Sequence, residues 1–206
     1  MALTVEAGRL LCREGEPVGA VVHLIESGAV SVSVTARSGT RATIQVLGAG
    51  DLLGAEAFED EPAGRPDGSA EARALVDARV LSISTADLRM AMARSQDVAG
   101  HVRSALAARV RSLQRHVARM QTLPVRERLL SMLIELAEGH GREVPGGVLV
   151  DLPLSQELLA SLIGATRESV NRALSDLQGR GHVGRRAGRY VLPLQRRDQP
   201  SVVALW

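Results

Sequence analysis

The sequence predicts an α+β chain in three consecutive parts: a small β-barrel or sandwich, one long helix, and a pair of short helices followed by a β-hairpin. Three observations carry this. Residues 1–84 hold short β-branched or alternating runs separated by glycines. Residues 96–121 hold one apolar stripe at spacings of three and four. Leu154–Leu177, LSQELLASLIGATRESVNRALSDL, holds two apolar faces of helical period on either side of Gly164.

In the first part, Val21–Ile25, Val30–Thr35, Ala42–Leu47 and Val80–Ile83 read as strands. Glu16-Pro17, Ser38-Gly39 and Gly50-Asp51 are turn formers between them. Strands this short at this spacing suit a barrel or sandwich. Glu59–Gly68, EDEPAGRPDG, is polar and rich in Pro and Gly, so an exposed loop is expected.

Thr85–Arg94 reads as a short amphipathic helix, and Gln96–Gln121 as a long one. The long stripe runs through Val98, Val102, Ala105, Leu106, Val110, Leu113, Val117 and Met120. Arg103, Arg109, Arg111, Arg115 and Arg119 are expected on its flanks. A single stripe of this period suits a two-stranded coiled coil, so a homodimer through Val102, Leu106, Val110, Leu113 and Val117 is expected. One side of the helix can pack on the chain's own barrel at the same time. Pro124 ends this helix and suits the first turn of the next, Val125–Glu138. Gly139–Gly147 reads as a loop, and Val148–Leu152 as a strand stopped by Pro153. The expected divisions are therefore 1–95, 96–123 and 124–206.

In Leu154–Leu177, Ser155 is placed to cap the first helix, with Leu158, Leu159, Leu162 and Ile163 inward. Gly164 supplies the reversal, and Thr166 is placed to cap the second helix. At ~100° per residue, Arg167, Glu168, Asn171 and Arg172 fall within an arc of roughly 140°. Val170, Ala173, Leu174 and Leu177 take the other side. Arg167 stands at a helix N-terminus, where the macrodipole disfavours a cation. A residue set against local preference points to an external partner. Arg forks onto guanine O6 and N7, and Glu accepts from cytosine N4, so a helix-turn-helix reading double-stranded DNA is expected. Arg167, Glu168 and Arg172 are the expected base readers. Ser155, Gln156, Thr166, Ser169 and Asn171 are secondary contacts. His182–Leu192 reads as a β-hairpin turning at Ala187-Gly188, with Arg185, Arg186 and Arg189 clustered at its tip as a wing for the phosphate backbone. The apolar end of the tail, Val202–Trp206, is expected to dock.

Charge agrees with this placement. All 25 basic residues are Arg, and the net charge is +2. Residues 152–197 carry +5, and residues 1–95 carry −4. A polyanion rewards the first through counterion release. The single cysteine, Cys12, excludes an intrachain disulfide framework. No apolar run is long enough to span a membrane, and the N-terminus lacks a secretory pattern, so a cytoplasmic location is expected. A metalloenzyme on a cupin-type barrel would need converging His and carboxylate ligands. The five His are scattered, and only His23 lies in the barrel part, so an enzyme is not expected.

The order barrel, long helix, winged helix-turn-helix resembles the catabolite-activator/FNR (CRP/FNR) family of bacterial transcription regulators, along nearly the whole chain. The match is most specific at Gln156-Glu157-Leu158 through Gly164, then at Arg167-Glu168-Ser169-Val170-Asn171-Arg172, and at the turn Gly50-Asp51-Leu52-Leu53-Gly54. The resemblance implies a cyclic-nucleotide-binding-like β-roll (jelly roll), a long dimerisation helix and a winged helix-turn-helix. It also implies TGTGA-like half-sites in an inverted repeat, and RNA polymerase as a partner of an activator.

The effector pocket departs from the family pattern. Members that bind cyclic nucleotides place Glu directly after the turn glycine; here Ala55 follows Gly54, and Glu56 comes one residue later. Where those members have Arg-Ser for the cyclic phosphate, this chain has Gly68-Ser69, with Arg65 the nearest upstream cation, among acids. Where cyclic-AMP responders carry Thr-Ser in the long helix, it has Leu113-Gln114. Gly54, Glu56, Arg65 and Ser69 mark the candidate pocket. Regulation without cyclic AMP, and no cofactor, is the expectation; gating by cyclic AMP or another small effector is the alternative. An iron–sulfur version needs several N-terminal cysteines. His23, His101 and Cys12 are possible haem ligands, and a haem is not expected.

Overall fold

The computed structural model describes residues 1–13, 21–54 and 70–193. The chain forms two compact units, Met1–Ala118 and another from Arg119 onward.

The first unit is a β-roll of two four-stranded sheets. One sheet contains β1 (Ala2–Val5), β8 (Ala78–Ser84), β3 (Val21–Ser27) and β6 (Leu52–Leu53), in that order. The other contains β2 (Leu10–Cys12), β7 (Glu71–Ala74), β4 (Val30–Thr35) and β5 (Arg41–Leu47). Ile25, Val30, Val32, Leu47, Leu53 and Val80 fill the space between them, with Ala72, Ala74 and Ala78 at the tight places. β3 alternates as a strand covered on both faces must. Ile25 enters this inner core, while Val22 and Leu24 turn outward beneath α1 (Thr85–Arg94) and α2 (Gln96–Thr122). Leu52, Leu88 and Val102 complete that second cluster.

Two expectations for α2 change here. Val102 is buried against its own roll, so the expected seam does not begin there. Arg119 is not on a flank: it is buried in the second unit and pairs with Glu135. Val110 and Val117 are each 53% exposed.

The second unit starts with the last turn of α2, followed by α3 (Val125–His140). The segment expected to be a loop after α3 is instead a strand, β9 (Gly141–Val144), which pairs antiparallel with β10 (Gly147–Val150). The direct step from helix to strand depends on Gly141. A Cβ there would overlap the Ala137 carbonyl oxygen and the Val148 side chain. β10 is followed by α4 (Gln156–Ile163), α5 (Arg167–Gly179), β11 (Gly184–Arg186) and β12 (Arg189–Pro193). β11, β12, β10 and β9 make one antiparallel sheet. Leu129, Leu133, Leu159, Leu162, Ile163, Val170, Leu177 and Tyr190 are buried in this unit. The expected loop Glu59–Gly68 and the tail Val202–Trp206 lie outside the described residues.

Candidate nucleic-acid interface

Local chemistry fixes both helices of the reader. The Leu158 N–H donates to Ser155 Oγ (3.1 Å), which caps α4. α4 ends at Gly164, with φ 58° and ψ 50°, the left-handed region in which a side chain is strained. A Cβ there would also run into the Met120 side chain. Arg128 of α3 donates from Nη1 to the Ile163 carbonyl (2.9 Å), satisfying an acceptor at the end of α4. The Ser169 N–H donates to Thr166 Oγ1 (3.2 Å), which caps α5.

α5 buries Val170, Ala173, Leu174 and Leu177, the four residues expected on its inner side. Arg167, Glu168, Asn171 and Arg172 are exposed along the opposite side, as its period requires. Each is held by a light contact. Arg167 Nε lies 3.1 Å from Glu157 Oε1 of α4. Arg172 Nη2 donates to Ser169 Oγ (3.3 Å). Gln156 Nε2 donates to Asn171 Oδ1 (3.2 Å). Glu168 is held below the usual carboxylate range by a backbone N–H, then by the Thr166 hydroxyl, with Arg167 and Arg172 adding to the effect. It therefore stays an acceptor across the neutral range. An Arg–Glu pair as exposed as Arg167–Glu157 contributes about 0–1 kcal/mol, so Arg167 can exchange it for a base edge at little cost.

Asp176 ties α5 down from its other end, with Arg126 of α3 at 3.1 Å and Arg180 at 2.9 Å. Arg180 and then Arg126 hold its carboxyl below the usual range. Periodicity carried no sign of Glu157 or Arg126 as partners, because both contacts depend on the angles at which separate helices meet.

The wing turns at Ala187 (φ 48°) and Gly188 (φ 78°), two left-handed residues in a two-residue loop, as a type I′ hairpin needs. Its three arginines do not form one cluster. Arg185 lies over the Tyr190 ring, 5.0 Å from the centroid. Arg186 and Arg189 face each other across the hairpin, on the side opposite Arg185, because alternate residues of a strand point to opposite faces. Burial lifts the Tyr190 phenol above its usual range, and Arg185 opposes that shift.

Of the candidate effector residues, Gly54 is described, at φ 81° in the turn after β6. Glu56, Arg65 and Ser69 lie outside the described residues. Leu113 is half-buried and Gln114 exposed. Among the described residues no three His, Cys, Asp or Glu side chains are grouped to hold a metal ion, and no helix is long and apolar enough to cross a membrane.

Comparison with known proteins matches both units. A family model described as the cyclic nucleotide-binding domain covers residues 2–95. One described as the Crp-like helix-turn-helix domain covers residues 127–197. The chain is 31% identical over 185 residues to the CRP-like cAMP-activated global transcriptional regulator of Mycobacterium tuberculosis, covering 90% of this chain and 80% of that one. It is 27% identical to the global nitrogen regulator of Synechococcus elongatus, covering 84% and 77%. The solved structure of FixK2 from Bradyrhizobium japonicum matches with a TM-score of 0.75 at 25% identity, over 93% of this chain and 91% of that one. Roll and reader thus match one set of proteins in one order, and the chain belongs to the CRP/FNR family, whose members are DNA-binding transcription regulators and not enzymes.

Proposed function

We propose that this regulator acts in the cytoplasm as a homodimer on an inverted repeat of TGTGA-like half-sites, activating transcription through RNA polymerase without cyclic AMP. Residues 1–95 form the effector-type roll, 96–123 the dimerisation helix and hinge, and 124–206 the DNA-binding part. The observation that carries this is α5, capped and buried along one side, with Arg167, Glu168, Asn171 and Arg172 exposed along the other. Two such helices, related by a twofold axis, enter successive major grooves roughly 34 Å apart. Arg167, Glu168 and Arg172 read bases, while Ser155, Gln156, Thr166, Ser169 and Asn171 support them. Arg185, Arg186 and Arg189 contact the backbone.

Selection of bound sequences from random duplex DNA, with and without cyclic AMP, tests this directly. An inverted repeat is expected in both pools. Arg167→Ala should lose about 1–3 kcal/mol on the selected site and relax preference at one base pair. Arg186→Ala should weaken all duplexes alike and flatten the salt dependence. Equal losses for both variants on selected and random DNA contradict these roles.

A second reading has its own support: the match of residues 2–95 to the cyclic nucleotide-binding domain, and a relative whose name describes cAMP activation. In it the same reader is gated by a cyclic nucleotide or another small effector in the roll.

A further inference from the structure

The sheet of the second unit has an outward face as well as the inner one carrying Val150 and Tyr190. The register sets Arg142 of β9 opposite Leu149, Leu149 opposite Val191, and Arg186 opposite Arg189. Alternation then places Arg142, Asp151, Arg189 and Arg186 on the outward face. These four border one open groove of about 340 Å³, which Leu149 and Glu143 also line.

The charges in this row are poorly matched among themselves. Asp151 lies between Arg142 Nε (3.5 Å) and Arg189 Nε (3.7 Å). Charge-assisted bonds settle at about 2.7–2.9 Å, so this carboxylate braces two guanidiniums loosely. Arg186 stands directly across from Arg189, a like-charge pairing that costs stability. Among the described residues it has no carboxylate partner to offset this. Three guanidiniums exceed the carboxylates of Asp151 and Glu143 by one charge. Strands lie ~4.8 Å apart, so the row runs about 14 Å from β9 to β11. A line of cations, spaced along a groove and outnumbering its carboxylates, fits a line of phosphates.

We propose that Arg142, with Arg186 and Arg189, forms a phosphate-binding row that grips the duplex flanking the bases read by α5. It rests on the DNA-binding reading above, and adds Arg142 as a contact and Asp151 as its counterweight. Arg142 lies at the end of the row away from the wing, so in this proposal it is the member that acts only on DNA long enough to reach it.

The test uses the full-length protein and two duplexes carrying the selected site. One ends at the site, and the other extends it by one helical turn, about 10 bp, on each side. Arg142→Gln should weaken the long duplex about 3- to 10-fold and lower its salt slope by about one per subunit, leaving the short duplex and base preference unchanged. Arg142→Lys should keep the slope. Asp151→Asn, which frees both guanidiniums, should tighten the long duplex and steepen its slope. Replacing chloride by inorganic phosphate at equal ionic strength should leave binding unchanged; selective loss of the long-duplex advantage assigns the groove to a free anion and overturns the proposal. So does Arg142→Gln acting equally on both duplexes, or on neither, while the wild-type protein still prefers its selected site. A wild-type protein without any preference overturns the DNA-binding reading itself, and the row with it.

Discussion

His23 lies on the face of β3 that carries Ile25, toward the space between the sheets, and its Nδ1 is hydrogen-bonded to Ser82 Oγ of β8 (2.9 Å). Burial pushes its pKa below the usual histidine value. The consequence for stability has a definite sign. Above the ordinary value of about 6.5, folded and unfolded chains both hold this residue neutral. As pH falls through that value the unfolded chain takes up a proton first, so stability declines until the lowered folded pKa is also passed. The melting temperature of the roll is therefore expected to fall as pH drops below about 6.5, and His23→Asn, which retains a hydrogen-bonding group for Ser82, should flatten that decline. An unchanged pH profile in the variant would remove His23 from the account. Nothing in the sequence around His23 foretells this, since its partner lies 59 residues away and meets it only through strand register.

At the scale of elements, α2 carries the dimerisation proposal. Val102 is packed beside Val22, Leu52 and Leu88, but the pattern Leu106, Val110, Leu113, Val117 continues at spacings of four, three and four past the covered part. Val110 and Val117, seven residues apart, are each 53% exposed. In a dimer, four such half-exposed valines would be covered, stabilising it by about 3 kcal/mol. Val110→Glu combined with Val117→Glu should raise the dimer dissociation constant more than about 100-fold. Light scattering should then report a monomer, with affinity for the inverted repeat weakened along with it; a stable dimer in the double variant places the interface elsewhere. Elements with strong periodicity are legible in the sequence alone: α5 and α1 lie where their stripes put them. β7 is not, because Glu71-Ala72-Arg73-Ala74 buries only alanines, too small to register as an apolar alternation. β9 was missed for a related reason. Its Gly-Arg-Glu-Val sequence is polar, and it is a strand because β10 offers an edge to pair with. At the interface the exposed side of α5 was legible as a wheel, whereas the separation of Arg185 from Arg186 and Arg189 required the hairpin register.

At the scale of the whole molecule, charge is divided between the parts: residues 152–197 carry +5 and residues 1–95 carry −4. This favours a polyanion at the reader and opposes an anion at the roll, and a cyclic nucleotide is an anion. Three guanidiniums of the roll already have carboxylates. Arg41 and Arg73 converge on Glu71 (2.5 and 3.1 Å), and Arg79 meets Glu26 (2.7 Å). Capturing a cyclic phosphate with any of them means breaking an existing pair, and the family's Arg-Ser position is Gly68-Ser69 here. An effector controls a regulator only by binding one of its states more tightly than another. Coupling of the usual size, about 1–3 kcal/mol, changes operator affinity roughly 5- to 150-fold. We therefore expect saturating cyclic AMP or cyclic GMP to leave affinity for the selected inverted repeat within about twofold, well below that coupling range. A rise of fivefold or more with either nucleotide would transfer control to the roll and make the gated reading the correct one. The same titration on the Val110→Glu, Val117→Glu variant separates the causes of such a rise. A nucleotide acting through dimerisation loses its effect in that variant, and one acting on the reader of each chain keeps it.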